Sequence, residues 1–330
     1  MRKILLAVAL LLCFSTTYAQ VAKVDDLKKS LQSDGVDTNK WKWGGVFNFA
    51  VNQGFLHNWA SGGELASLSV NTLFSVYVIH QYHGAVWANN LDLAYGLNYA
   101  YSTAFIPHKS DDRIDFTSKY GKAVDTGKHF FITALFNFKS QFTKGFDYTR
   151  NNWDSASTSK FLSPAYLTLA VGMEYRKGDN LSLFLSPIAG REVLASSYYT
   201  NMSPQGAFGI GYGKTSVFQL GAYFSGRYAV NFTKNMSFKT RLDLYANYLA
   251  KDTKDNLGYV IKKDNPGNIQ VFWDNLFAWK ASKYFSFLIG ATVTYDNNVP
   301  YMPAKTDDPA KGLGWVQLKE IFTAGLEYKF

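Results

Sequence analysis

Five histidines and a single cysteine are all that this chain offers for imidazole, thiolate or metal chemistry. His80 and His83 form an H-x-x-H pair. Two histidines can hold zinc when further ligands complete the set. Here they straddle a strand end and the turn after it, with no carboxylate placed to join them, so they read as a turn pair. His57 and His108 fall in long connections, and His129 begins a strand. No G-x-S-x-G, P-loop, G-x-G-x-x-G or H-E-x-x-H occurs. No histidine has a serine and an orienting group beside it in sequence, although a triad assembled across strands stays open. The reading names no catalytic, cofactor-binding or metal residue and no cofactor, and it leans against an enzyme.

The residues that could act on a solute are charges at alternate positions. They are Asp92, Arg113, Asp115, Lys119, Lys139, Glu174, Arg227, Lys239, Arg241, Asp243, Asp274 and Lys319, with Asp296 and Glu327 in the same phase. Seven of these fourteen are basic and seven acidic. A strongly ion-selective pore shows a ring of one sign. Mixed signs instead predict pairs that brace a wall.

The elements that place them have a period of two. "WKWGGVFNFAV" sets Trp41, Trp43, Phe47, Phe49 and Val51 against Lys42, Asn48 and Asn52. "VWANNLDLAYGLNYAY" and "FQLGAYFSGRYAVNF" alternate in the same way, for longer than an ordinary globular strand. Twelve such segments are predicted: 41–53, 66–80, 84–101, 113–121, 129–142, 162–177, 180–189, 215–232, 236–250, 269–280, 284–296 and 315–330. Their connections alternate long and short. A Greek-key sandwich has no reason to sort loops this way. An up-and-down antiparallel barrel in an outer membrane does, with short periplasmic turns and long outer loops.

The fold expectation is therefore an all-β transmembrane barrel of about twelve strands, residues 41–330, with both termini periplasmic. In lipid an unpaired backbone group costs several kcal/mol, so the sheet must close. Eight strands fill their interior and sixteen leave a channel; twelve leaves a narrow pore and a packed lumen both open. Aromatics make up 17% of the chain and are expected in two interfacial girdles. One girdle holds Trp41, Trp43, Tyr82, Trp87, Tyr175, Trp279, Tyr284 and Phe330. The other holds Tyr99, Tyr101, Phe142, Tyr248, Tyr295 and Trp315. Glu320 falls on the lipid face by alternation, and a bulge is the favoured explanation. Gly209, Gly211 and Gly213 read as loop flexibility.

The N-terminal residues set the compartment. Arg2 and Lys3 precede an apolar run over 4–14 and the small residues Thr17 and Ala19, which reads as a signal peptide over 1–19 and Sec-type export. The run is too short for a spanning helix. Cys13 lies within it, so the expected mature chain has no cysteine and no disulfide. Residues 20–40 are expected to be a periplasmic segment, with an apolar spacing of three and four compatible with a short helix. The formal charge of +9 falls to +7 without Arg2 and Lys3. The basic residues form no run and no nucleic-acid module, and nucleic acid is not expected as a partner.

Whole segments carry a resemblance. "NWASGGE" (58–64), "NNLDLAYG" (89–96), "DDRIDFTSKYG" (111–121), "FLSPAYLTLAVGMEY" (161–175), "LSLFLSP" (181–187) and "GAFG" (206–209) are similar to a Bacteroidota outer-membrane β-barrel family of unknown function, domain-of-unknown-function family 3078. The resemblance implies a Gram-negative outer membrane and a barrel, and brings no activity. Within it, Asp154-Ser155-Ala156 resembles a short O-glycosylation signal of that phylum. The closing "TAGLEYKF" resembles the signal read by barrel-assembly machinery, with Gly325, Tyr328 and Phe330 as its carriers.

The expected partners are outer-membrane lipid, the assembly machinery during biogenesis and a small solute or lipid-like ligand. Passive transport or binding of such a ligand is the functional expectation. A lipid-acting outer-membrane enzyme and a closed structural or surface-interaction barrel are the alternatives.

Overall fold

Alternation becomes strand wherever one set of side chains can be covered and the other can face apolar surroundings. A computed structural model describes residues 40–56, 64–127, 129–148, 153–155, 157–177, 180–254, 257–282, 285–298 and 316–326. Among these, one sheet runs β1 (Lys40–Phe55), β2 (Ala66–Tyr82), β3 (Ala85–Ala100), β4 (His108–Ala123), β5 (Phe130–Ser140), β6 (Ala165–Lys177), β7 (Leu181–Leu194), β8 (Ser216–Asn231), β9 (Met236–Asn247), β10 (Gln270–Lys280), β11 (Phe285–Tyr295) and β12 (Gln317–Leu326). Every strand pairs antiparallel with its chain neighbours. The described pairings run from β1 to β12 without one that joins these two edges. No described helix is long and apolar enough to cross a membrane.

The connections keep their alternation. The stretches 56–65, 101–107, 141–164, 195–215, 248–269 and 296–316 are long, and 83–84, 124–129, 178–180, 232–235 and 281–284 are short. One end of the sheet therefore carries the long connections and the other the short turns. The signal-peptide and helical readings over 1–39 lie outside the described residues. So do Tyr284, Trp315, Glu327, Tyr328 and Phe330.

The burial pattern is inverted relative to a water-soluble sheet. On β6, Leu169 and Val171 are 63% and 60% exposed while Glu174 on the opposite face is fully buried. Asp92, Asp115, Arg176, Lys239 and Asp243 are buried too. A single sheet can bury charges on one face only by wrapping that face around itself. Lys139 on β5 lies 5.6 Å from the ring of Phe272 on β10. Five inter-strand steps of about 4.8 Å would hold the two roughly 24 Å apart in a flat sheet. The sheet is therefore strongly curled, with the polar face inside.

Three expectations are corrected. The segment ending at 189 continues to Leu194 as β7. Pro187 lies where β7 carries one extra residue against both β6 and β8, and a bulge is where a sheet accepts proline. Ser186 bridges it, its hydroxyl donating to Val171 O and Ile188 O, both at 2.9 Å. Gly172 makes room, since a Cβ there would lie 2.0 Å from the Leu185 carbonyl oxygen. Glu320 needs no bulge: β12 keeps unbroken register with β11, Glu320 opposite Ala291. It is exposed alongside Leu318, close to the long-connection end of its strand. The glycines of 206–213 are not a loose spacer. Gly209 and Gly213 take positive φ, Ala207 and Ile210 form a two-way backbone bridge, and Ile210 is buried against Val193 and Ala195.

Candidate functional site

The inner face is built in three tiers. At the short-turn end the described residues are closely packed. Tyr77, Ile79, Val86 and Phe131 form one apolar cluster. Beside it, Glu174 on β6 receives hydrogen bonds from four strands' worth of donors. Arg176 Nη2 donates at 2.7 Å, Ser182 Oγ at 2.8 Å and Thr133 Oγ1 at 3.1 Å, and Lys119 Nζ closes an ion pair with Oε1. Arg176 also lies 4.5 Å over the Phe131 ring, and Lys119 sits 5.7 Å from the ring of Phe184. A buried carboxylate with every lone pair engaged braces the wall and leaves nothing for a solute.

Midway, Asp243 on β9 is held by Arg241 at 2.5 Å and by Ser225 Oγ at 2.6 Å. Asp115 accepts from Asn137 at 2.7 Å, with Lys139 at 3.9 Å. Arg227, Arg241, Lys119, Asp92 and Asp115 line a void of about 30 Å³, about the volume share of one water. Asp274 accepts from Thr292 at 2.6 Å on the next strand. Register sets Lys319 opposite Thr292.

Toward the long-connection end the interior opens into a cavity of about 270 Å³. Its wall includes Tyr166, Arg191, Tyr223, Tyr245, Gln270 and Phe272, with Lys139, Thr168, Asp243 and Asp296. The guanidinium of Arg191 stacks 3.7 Å over the Tyr245 ring, its Nε donates to Thr168 at 3.3 Å, and its Nη1 donates to Gln270 at 2.5 Å. Tyr245 is almost wholly buried, yet its hydroxyl has no partner among the described residues.

Six of the charges expected inside form three ion pairs, Lys119–Glu174, Lys139–Asp115 and Arg241–Asp243, and the inner face adds two arginines that the sequence reading did not name. Arg176 stands two residues past Glu174 in the same phase, within the predicted segment 162–177, and was passed over. Arg191 lies beyond the bulge, on even-to-odd rephased sequence. Reading Pro187 as a bulge marker rather than a stop would have found it. No group of described histidine, cysteine or carboxylate residues could hold a metal ion. His80 stacks on Trp41 at 4.3 Å and lies flat beside Tyr82 at the short-turn end. Asp154 and Ser155 lie in a single 3-10 turn, with Ala156 outside the described residues. Trp41, Trp43, Tyr82, Trp87 and Trp279 are exposed at the short-turn end, and Tyr101, Phe142 and Tyr248 at the other.

A protein family of unknown function, DUF3078, matches residues 51–146. Among solved structures, an outer membrane channel from Pseudomonas putida F1 is similar at 8% identity and a TM-score of 0.36, covering 90% of this chain and 96% of that one. No curated protein matches the chain.

Proposed function

We propose that this chain is an outer-membrane β-barrel, exported by a Sec-type route and closed by β1 against β12, whose lumen binds a small solute above a packed floor. Its termini are periplasmic and its long connections face outward. Support for the setting comes from the exposed apolar face, the strict neighbour order of the strands and the sorted connection lengths. Strands of ten residues or more are long enough to cross when tilted. Outer-membrane lipid covers the outside, and assembly machinery reads the end of β12.

The observation that carries binding over free passage is the contrast along the axis. The cavity of about 270 Å³ sits above a floor in which Glu174 and its four donors fill the space. A solute can enter the long-connection half and meet aromatic rings and fixed polar groups, while the short-turn half is shut.

Three measurements test this. The protein should fractionate with the outer membrane and migrate faster on gels before heating than after. Purified chain in planar bilayers should show little steady conductance; a large, stable open channel would sink the closed floor. Deleting Phe330 should lower outer-membrane levels, and unchanged levels would remove the terminal aromatic from the assembly reading.

A further inference from the structure

The cavity wall contains one cation that is positioned with care and makes no ion pair among the described residues. Arg191 is fixed at three points, by the Tyr245 ring, Thr168 and Gln270. Among the described residues no carboxylate lies within ion-pairing distance of it. The acids of the same wall are occupied or disfavoured as anions. Asp243 is taken by Arg241 and Ser225. Asp296, just past the end of β11, accepts the backbone N–H of Asn298 at 2.8 Å; burial disfavours its charge, while Arg191 and Lys262 favour it from beyond ion-pairing distance. Lys139 stands 3.9 Å from Asp115 and faces Phe272.

The remaining features fit an organic anion better than an inorganic one. Three rings, Tyr166, Tyr223 and Phe272, offer apolar surface around the cation. The buried Tyr245 hydroxyl supplies a hydrogen bond with no taker among the described residues. A guanidinium edge is planar and suits the two oxygens of a carboxylate. The volume falls just under the range of drug-sized pockets, so the ligand is a small one. A single guanidinium with no ion pair among the described residues matches a single negative charge.

We infer that this cavity binds a small monocarboxylate with an aromatic or apolar body, the carboxylate received by Arg191 and the body held among Tyr166, Tyr223 and Phe272. The inference rests on the solute-binding reading above and names its ligand class. A sugar would need no unpaired cation. A zwitterion would need an acid for its ammonium group, and Asp243 is already taken by Arg241 and Ser225.

The test uses the full chain purified in detergent and titration calorimetry with three probes: 3-phenylpropionate, 3-phenylpropionamide and glucose. The acid should bind, and the amide about tenfold or more weaker, because a charge-assisted pair is replaced by a neutral one. Arg191→Gln should erase the preference for the acid, and Arg191→Lys should keep part of it, with heat-modifiable migration retained by both. Should Arg191→Gln not fold, the acid-to-amide ratio of the natural chain and of Arg191→Lys carries the decision. Equal affinity for acid and amide, preference for glucose, or no binding of any probe at millimolar concentration overturns the assignment. A freely conducting channel would overturn the closed floor separately, and leaves the acid-to-amide ratio as a judgement on Arg191.

Discussion

Glu174 and Tyr245 lie on the same inner face of one curled sheet, both almost wholly buried, and their surroundings differ in kind. Glu174 has four donors for its two oxygens. The Tyr245 hydroxyl has none among the described residues, although an arginine lies flat on its ring. Burial is equal; satisfaction is not. A buried polar group without a partner costs about 1–3 kcal/mol, so a fold that only needed to fill its interior would carry a phenylalanine at that place. The short-turn half is thus built as a structural floor, and the long-connection half keeps polar groups facing a cavity.

Substitutions should separate the halves by size of effect. Glu174→Ala leaves Lys119 and Arg176 buried without their anion, and a broken buried pair costs about 3–5 kcal/mol. The urea midpoint of the detergent-folded protein should fall steeply. Replacing Glu174, Lys119 and Arg176 together by methionine should recover most of that loss. A triple variant as weak as Glu174→Ala would mean that packing, not charge, governs the floor.

Gly172→Ala should come next. Its Cβ would meet the Leu185 carbonyl at the bulge dividing the two halves, and forced overpacking costs about 1–3 kcal/mol. The expected reading is a lower urea midpoint together with weakened ligand binding, since Arg191 lies beyond that bulge. An unchanged midpoint would show that β7 can relax there.

Tyr245→Phe should be smaller again, within about 1 kcal/mol and of either sign, because it removes a hydroxyl with no partner among the described residues and keeps the ring under Arg191. If this change destabilised the protein as much as Glu174→Ala, the distinction between floor and cavity would fail.

The smallest effect lies outside both halves. Asp125, in a short turn, accepts the backbone N–H of His129 at 3.0 Å and of Phe130 at 2.7 Å. These bonds, His129's first, hold its carboxyl below the usual range. A lowered folded value means that its contribution is present above the ordinary Asp range near pH 4 and is lost as pH falls through the folded value. Asp125→Ala should speed amide exchange at His129 and Phe130 and leave the urea midpoint almost unmoved.

Much of the fold was legible because its cause is local. In β1, β3 and β8 the period of two shows in a dozen consecutive residues, and the face carrying Trp41, Trp43, Phe218 and Tyr228 is the exposed one. The site was less legible. Arg191 escaped because Pro187 looks like an ending, and whether a proline ends a strand or sits in a bulge depends on the strands beside it. Tyr245 looked like one aromatic among many, since alternation assigns a face and says nothing of what stands across the interior.

By itself, then, the sequence determined strand periodicity, the identity of the apolar face, the sorting of long and short connections and the gathering of both charge signs on one side. Each follows from side-chain direction and turn chemistry within a few residues. Only the tertiary structure decided which charges meet. Lys119 reaches Glu174 across 55 positions of chain, and Arg191 reaches Gln270 across 79, because the curl of the sheet brings distant strands within a few ångströms. The same curl leaves one half of the described interior packed and the other half open around an arginine with no ion pair among the described residues.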